Sequence, residues 1–311
     1  MITVQKAKTG KGINLVFMGD AYTDKDVNSG EYERLMRFAQ DEFFQIEPYK
    51  SFKDRFNIYI VKVVSKNGKT GPGYTTALGT QFVNGSATSG NDSKVYEYAL
   101  KVPGISSKNN LTVAVMVNSI YHGGVATMSE SQQSGIGYYS SNGNDSEAFG
   151  ITLRHETGGH AFAFLADEYV YHYDTAIPQA AITEGNRLYN KCGWYSNIDF
   201  TNDPKKIRWA DFLSDSRYKD EVGIIEGANT YGKGIYRPSQ NSMMNQNMEY
   251  FNAPSRWAIY KRIMTLSGET PTFSKFLSYD SVNRGKIPAN APATRSAGDN
   301  WVPTNPPIVT P

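Results

Sequence analysis

The stretch "LRHETGGHAFAFLADEY", residues 153–169, decides how the fold and the chemistry of this sequence are interpreted. It contains His155 and His160, and Glu156 directly follows the first of them. The zinc-binding motif His-Glu-x-x-His places its histidines four residues apart on one helix, so that both imidazoles face the same side. Here the separation is five residues, and residues five apart in a straight α-helix point roughly 140° away from each other. A metal site therefore requires a local change in the helix.

The glycine pair between the histidines predicts that change. Gly158 and Gly159 tolerate an irregular helical turn, and one extra residue in a turn is a π-bulge, which frequently occurs at functional sites. Each glycine inside a regular helix otherwise lowers the stability of the helix by about 1 kcal/mol relative to alanine. We therefore expect a π-bulge that brings His160 to the same side as His155, with Gly158 and Gly159 as structural residues of the site.

Acidic residues complete the predicted site. Glu156 lies beside His155, where it can act as the general base that takes a proton from water at a zinc ion. A straight helix would carry Asp167 about 10.5 Å along its axis from His160, so the helix must end soon after His160. We predict Asp167 as the third ligand, with Glu168 as an alternative ligand or as a partner that orients the ligands. In the competing interpretation, the histidines are a helix-surface pair and the acidic residues form a solvated turn.

The composition argues against several other classes of protein. The 311 residues carry a net charge of +2, with Lys and Arg scattered along the chain, so we expect no nucleic-acid partner. No stretch approaches the run of about 18 apolar residues that spans a bilayer. Cys192, the single cysteine, excludes an intrachain disulfide and a thiolate zinc cluster. No signal peptide is visible before the first apolar run, so we expect a cytoplasmic protein or a chain from which the export signal has been trimmed.

Alternating strand and helix patterns predict an α/β fold with a twisted mixed sheet. Short apolar or alternating runs are typical of strands, and apolar residues at helical spacing are typical of helices. The predicted strands are residues 13–23, 56–65 and 111–119, and the predicted helices are residues 31–49, 92–102 and 253–268.

Three further segments complete this organisation. Residues 170–240 are interpreted as rich in loops. The run "GIGYYS", residues 135–140, is interpreted as a short edge strand that could receive an extended substrate by strand addition. We expect one catalytic domain, residues 1–283, followed by a proline-rich, extended C-terminal tail, residues 284–311.

A methionine pair lies between the histidine segment and the last predicted helix. In "YRPSQNSMMNQN", residues 236–247, Met243 and Met244 occupy the position along the chain at which metzincin peptidases place a methionine turn beneath the zinc. Methionine in a turn is more often part of the core. In the same stretch, Tyr236 and Arg237 are candidates to stabilise the developing oxyanion, and a structural role for both is the alternative.

Four segments carry a family resemblance. They are "LVFMGDAYT", "HETGGHAFAFLADEY", "EGANTYGKGIYRPSQNSMMN" and "APSRWAIYKRI", within residues 12–267. Together they resemble the IgA-peptidase family of metzincin-like zinc metallopeptidases, especially its members from gut Bacteroides-type bacteria. The resemblance implies a metzincin-like domain, in which a zinc-binding helix and a C-terminal helix pack with the sheet.

The resemblance also implies roles for individual residues. It makes His155, His160 and Asp167 the zinc ligands, Glu156 the general base and Met244 the floor of the site. The sequence departs from the wider pattern in its histidine spacing and in the helix exit, where "AFAFLAD" contains no glycine.

The same resemblance implies a protein or peptide substrate, with a host glycoprotein as one candidate, and a location outside the cell, at the cell surface or in the periplasm. We expect a monomer. Two other functions stay open: a catalytically silent adhesin that binds host protein or glycan, and a zinc hydrolase of a non-peptide amide. Glu156 favours catalysis, because a pure binding protein does not need that carboxylate. His122 and His172 are interpreted as ordinary surface or loop histidines.

Overall fold

The computed structural model describes residues 1–83, 86–88, 90–144, 146–245, 249–285 and 306–311. Contacts within the chain divide it into two compact units. The first comprises Met1–Phe162, Leu266–Glu269 and Val302–Pro311, and the second comprises Ala163–Thr265 and Thr270–Trp301. The single catalytic domain expected over residues 1–283 stays a prediction. Most of the expected tail falls on residues 286–305, which lie outside the described residues.

Strands and helices alternate over much of the chain. The strands are β1 (Ile2–Gln5), β2 (Ile13–Asp20), β3 (Phe56–Val61), β4 (Gln81–Val83), β5 (Ser86–Thr88), β6 (Thr112–Val117), β7 (Gly124–Ser129), β8 (Ser134–Ser140), β9 (Val170–Ala176), β10 (Ile225–Ala228), β11 (Thr230–Arg237) and β12 (Ile308–Thr310). The α-helices are α1 (Asp24–Asn28), α2 (Glu31–Phe43), α3 (Asp92–Ala99), α4 (Ser146–Leu153), α5 (Gln179–Cys192), α6 (Ala210–Ser214), α7 (Ala253–Leu266) and α8 (Phe273–Tyr279). A π-helix, Arg154–Phe162, directly follows α4.

A mixed sheet forms the centre of the first unit. Over the described residues it has seven strands in the order β1-β3-β2-β6-β8-β7-β12. The inner strands β3, β2, β6 and β8 run parallel, whereas β1 and β7 are antiparallel to their neighbours β3 and β8. Residues of β6 are buried along its whole length, as expected for a parallel strand covered on both faces. One face packs against α3 through Val95 and Ala99, and the π-helix lies against β8 and β7 on the sheet.

The second unit contains a three-stranded sheet in the order β10-β11-β9. Ala181 and Ile182 of α5 pack against its small core, which consists of Ala166, Ile177, Ile198, Ala228 and Ile235. The described part of the chain contains no helix with the length and apolar character that a membrane crossing requires.

The predicted α/β fold with a mixed sheet is confirmed. Predicted strands at 13–23, 56–65 and 111–119 correspond to β2, β3 and β6, and predicted helices at 31–49, 92–102 and 253–268 correspond to α2, α3 and α7.

Two interpretations of the sequence are wrong. Residues 135–140 belong to β8, which pairs with β6 on one side and β7 on the other and is therefore an internal strand. Residues 170–240 contain β9, α5, β10 and β11 rather than mainly loops. Their apolar pattern is weak because β9 is almost fully exposed and α5 buries only Gly185 and Leu188 among its residues.

Candidate metal centre

The two histidines of the decisive stretch lie in the π-helix, in which all nine residues are buried. A π-helix joins residues five apart by its hydrogen bonds, so residues with this spacing stand above one another along the axis. The Nε2 atoms of His155 and His160 are 3.1 Å apart, and the ring centroids are 4.8 Å apart. The predicted change in the helix is confirmed, and it extends over the whole segment rather than one turn.

Glycines in the neighbouring strands allow the π-helix to approach the sheet closely. A Cβ atom on Gly137 of β8 would lie 2.7 Å from the backbone nitrogen of Thr157, and one on Gly135 would lie 2.6 Å from the Cα of Ala161. Real Cβ atoms essentially never come closer than 3.0 Å to other heavy atoms. Gly137 lies opposite Ala126 of β7, so small residues from both strands form the surface beneath the helix.

The middle of the π-helix is also fixed from its other side. The Tyr49 hydroxyl donates a 2.6 Å hydrogen bond to the carbonyl oxygen of Gly158. The Tyr49 ring lies so close that a Cβ atom on Gly158 would be 3.1 Å from it. Glycine at position 158 therefore allows the close approach of the Tyr49 ring as well as the π-helical backbone. Gly159 is buried beside it.

Glu156 is fully buried in the same helix. A Cβ atom on Gly124 of β7 would stand 2.6 Å from the Cγ of Glu156 and 2.8 Å from its Oε1. The carboxylate thus lies against the backbone at the start of β7. Only glycine at position 124 leaves room for this arrangement.

The chain turns directly after the π-helix. Phe164 has φ of 54°, a left-handed conformation that normally favours glycine, so a phenylalanine occupies the exit at which the sequence has no glycine. After this turn, the possible ligand atoms of His155, His160 and Asp167 lie within 4.8 Å of one another, and all three residues are buried. In the part of the chain that the structure describes, His122 and His172 do not belong to this group.

Glu168 is also fully buried, but hydrogen bonds from other segments occupy its carboxylate. Ser242 donates to Oε2 at 2.6 Å, Asn197 donates to Oε1 at 2.9 Å, and Asn252 donates to both oxygens at 2.9 Å. Burial raises the pKa of Glu168 above its ordinary value, while these hydrogen bonds and the positive charge of Arg237 act in the opposite direction.

Met243 and Met244 lie in a tight turn and are fully buried. Ser242 and Asn245 form an isolated bridge that closes the turn. The Met244 carbonyl oxygen accepts a 2.7 Å hydrogen bond from the backbone N–H of Glu168. The methionine turn is therefore tied to the residue that follows Asp167 in the chain.

The two candidates for oxyanion stabilisation lie at the end of β11. The Tyr236 backbone forms a bridge with Asp199. The Arg237 guanidinium is buried and donates to the carbonyl oxygens of Glu226 and Gly227 and to the Gln240 side chain. These contacts give Arg237 a structural role within the second unit, and a role of either residue at an oxyanion stays a prediction.

Sequence reasoning missed several residues around the site. They are Tyr49, Gly124, Gly135, Gly137, Asn197, Ser242 and Asn252. The alternating glycines of "SGIGYYS" were a usable signal, because glycine inside a strand often marks the close approach of another backbone. The polar partners of Glu168 are 29, 74 and 84 residues away along the chain, and no local pattern connects them.

Comparison with known families agrees with this geometry. A family model described as IgA Peptidase M64 matches residues 2–217, which is more than half of the chain. The chain belongs to this peptidase family. The resemblance noted in the sequence is thereby confirmed, and a peptidase of family M64 hydrolyses peptide bonds in a protein or peptide substrate. The match includes the π-helix, Asp167 and Glu168, whereas the methionine turn and α7 lie beyond it. A comparison with curated proteins gave no match.

Proposed function

We propose that this M64 peptidase is a zinc-dependent endopeptidase. The observation that supports the proposal best is the pair of imidazoles whose Nε2 atoms, in His155 and His160, face each other at 3.1 Å. Two nitrogens bound to one zinc ion at about 2.0–2.1 Å in a tetrahedral site are roughly 3.3 Å apart. Two histidines and one carboxylate also match the donor set of catalytic zinc sites, which leave a fourth position open for chemistry. The residues therefore fit zinc.

In the proposed mechanism, His155, His160 and Asp167 hold the metal and Glu156 moves the proton. Zinc, when bound, supplies a Lewis acid that polarises the scissile carbonyl and lowers the pKa of water. The Glu156 carboxylate accepts the proton of the attacking water and donates it to the nitrogen of the leaving amine. Its burial against Gly124 supports this role, because the side chain is held in one place beside His155.

We also propose that the catalytic fold is metzincin-like, with Met244 as the floor of the site. Two observations support this part of the proposal. The histidine helix is followed along the chain by a buried methionine turn and then by a helix, α7. The Met244 carbonyl also receives the N–H of the residue next to Asp167.

The test is metal analysis combined with proteolysis by wild type and Glu156→Gln. We expect one zinc ion per chain in both proteins. We expect cleavage of casein or IgA to fall by about 10²–10⁴-fold in the variant, the usual contribution of a general base. Glu97→Gln is the matched control, since Glu97 lies on the surface and pairs with Lys101. Its cleavage rate should equal that of wild type.

Two results would contradict the proposal. An unchanged cleavage rate in a zinc-loaded Glu156→Gln protein would show that Glu156 is not the base. A wild-type chain without stoichiometric zinc would exclude zinc chemistry and favour the adhesin alternative.

The biological setting is part of the proposal. We propose a monomer that acts outside the cell, at its surface or in the periplasm, on a protein such as a host glycoprotein. Membership of a peptidase family supports a protein substrate. Detection of the protein in culture medium, on intact cells or in the periplasmic fraction tests the location, and recovery from the cytoplasm alone would contradict it.

A further inference from the structure

The segment that carries Asp167 is fixed at each of its residues by contacts within the second unit. Asn197 holds Ala166 from both sides, because its Oδ1 accepts the Ala166 N–H at 2.9 Å and its Nδ2 donates to the Ala166 carbonyl at 2.8 Å. The Asp167 carbonyl accepts the backbone N–H of Asn229 at 2.9 Å. The backbone N–H of Glu168 donates to Met244 at 2.7 Å.

The Glu168 side chain joins three of these segments in one buried cluster. A carboxylate has two oxygens with about four acceptor positions. Ser242, Asn197 and Asn252 fill them with four hydrogen bonds of 2.6–2.9 Å. A lone pair for a metal ion would become available only if at least one of these hydrogen bonds were broken, which would leave a buried donor without its acceptor.

The donors of the cluster are themselves held in place. Asn252 precedes α7, and its Oδ1 accepts the N–H of Ser255, the hydrogen bond of a helix N-cap. Its Nδ2 is therefore directed towards Glu168. The Ser242 hydroxyl oxygen accepts the N–H of Asn245 at 3.1 Å, so its proton is available for Glu168. The carboxylate thus connects the methionine turn, the start of α7 and the residue next to Asp167.

We propose that Glu168 is a positioning residue for the metal centre and not a ligand: it holds Asp167 and the methionine turn in one fixed arrangement and thereby sets the metal affinity. The inference rests on the proposed zinc function. It decides between the two roles that the sequence left open for Glu168. Residues that orient metal ligands typically contribute 10–100-fold to metal affinity although they do not contact the ion.

The experiment measures zinc affinity by competition with a chelator, using the full chain as wild type and as Glu168→Gln. Glutamine keeps the shape of the side chain, but its NH₂ group faces the donating Nδ2 of Asn252, so one hydrogen bond is replaced by a repulsive contact. We expect one zinc ion per chain in both proteins and an affinity about 10–100-fold lower in the variant. We also expect unchanged visible absorption of the cobalt(II)-loaded variant at saturation, because the ligands are the same.

Asp280→Asn is the matched control for general destabilisation. Asp280 is another fully buried carboxylate of the second unit, and it binds Arg256, Tyr218 and Asn283 rather than residues 166–168 or 242–245. The Asp280→Asn substitution should lower the thermal unfolding temperature. It should leave zinc affinity within about threefold of wild type, since the hydrogen bonds of Asp280 do not reach residues 166–168.

A second variant serves if Glu168→Gln does not fold. Ser242→Ala removes one hydrogen bond to Oε2 with little change in volume. It should lower zinc affinity in the same direction, by about 3–10-fold, since a single hydrogen bond contributes roughly 1 kcal/mol.

The outcomes separate this inference from the proposed function. If folded Glu168→Gln binds zinc with the same affinity as wild type, the positioning role is overturned and the proposed zinc function is not. A cobalt spectrum of that variant whose intensity shows a changed coordination number identifies Glu168 as a ligand and also overturns the positioning role. Wild type that takes up no zinc overturns both the inference and the proposed function.

Discussion

Phe164 adopts a backbone conformation that L-residues with large side chains rarely use. Its φ of 54° lies in the left-handed region, which costs a non-glycine residue roughly 1–2 kcal/mol. The ring compensates through packing. It stacks on Trp194 at 4.2 Å with an interplanar angle of 14°, and the Arg262 guanidinium lies 4.4 Å from its centroid. The turn that leads to Asp167 therefore depends on a stacked side chain in place of a glycine.

This conformation predicts an unusual order of stability between two substitutions. Phe164→Ala loses the stacked ring and keeps the strained backbone, so we expect a loss of about 3–5 kcal/mol in the free energy of unfolding. Phe164→Gly loses the same ring but relieves the strain, so it should be more stable than Phe164→Ala by about 1 kcal/mol. Chemical denaturation of both proteins measures the difference.

Leu188 provides the matched control for this comparison. It is buried in the regular helix α5, where glycine is less favourable than alanine by about 1 kcal/mol. Leu188→Gly should therefore be less stable than Leu188→Ala, the opposite order. The same order at both positions would show that the left-handed backbone of Phe164 contributes nothing to the difference.

Some features at the residue scale could be predicted from the sequence. The five-residue spacing of His155 and His160 and the glycines between them pointed to a π-type helix, because the geometry of a straight α-helix left no other way to bring the imidazoles together. The left-handed conformation of Phe164 could not be predicted, since phenylalanine does not favour a positive φ. The choice between Asp167 and Glu168 depended on partners from distant parts of the chain, which a local pattern does not show.

At the scale of elements, the contact between the π-helix and β8 depends on the absence of side chains. Gly137→Ala would place a methyl group 2.7 Å from the Thr157 backbone nitrogen and 2.8 Å from its Cα, where backbone has to move. We expect a loss of about 1–3 kcal/mol in the free energy of unfolding, as for other overpacked interiors. Because the displaced segment carries both histidines, zinc affinity should fall as well.

Gly68→Ala is the control for this prediction. A Cβ atom at Gly68 would meet its nearest neighbour, the Thr23 side chain, at an ordinary 3.5 Å, and the residue has no positive φ. Its stability should stay within about 0.5 kcal/mol of wild type, and its zinc affinity should not change. A Gly137→Ala protein that resembles Gly68→Ala in both measurements would mean that the helix does not depend on this close approach.

The strands and helices with strong apolar patterns were predictable, and their neighbours in the sheet were not. β2, β3 and β6 are buried parallel strands whose side chains are mostly apolar, so each can be recognised from its own residues. β8 has two glycines and two serines among its seven residues, so it lacks the continuous apolar run of β6. Its central position results from pairing with β6 and β7. The residues of one segment do not show which strands that segment pairs with.

At the scale of the whole molecule, tyrosines connect stability to alkaline pH. The chain has 21 tyrosines, and burial is the largest cause of a raised pKa for several of them. Burial raises the pKa of Tyr96 and Tyr250 to about 12, compared with an ordinary value of 10.0. The pKa values of Tyr22, Tyr32, Tyr138, Tyr139, Tyr195 and Tyr218 are raised as well, with burial again as the largest cause.

These shifts predict a loss of stability above pH 10. In the unfolded chain the phenols release their protons near pH 10, whereas the folded chain still holds them, so the unfolded state binds fewer protons and the free energy of unfolding falls as pH rises. Each such tyrosine contributes up to about 1.4 kcal/mol per pH unit between its unfolded and folded pKa values. For Tyr96 this window extends from pH 10 to about pH 12.

Denaturation of wild type and Tyr96→Phe at several pH values between 8 and 11.5 tests this prediction. Phenylalanine lacks the ionisable hydroxyl, which in Tyr96 forms a hydrogen bond with Ser134. The variant should be less stable at pH 8, because that hydrogen bond is lost. Above pH 10 its stability should fall less steeply than that of wild type, by up to about 1.4 kcal/mol per pH unit, since one proton fewer is released on unfolding. Lysine titration affects both proteins equally and cancels in the comparison, so parallel curves above pH 10 would show that the Tyr96 phenol does not stay protonated in the folded chain.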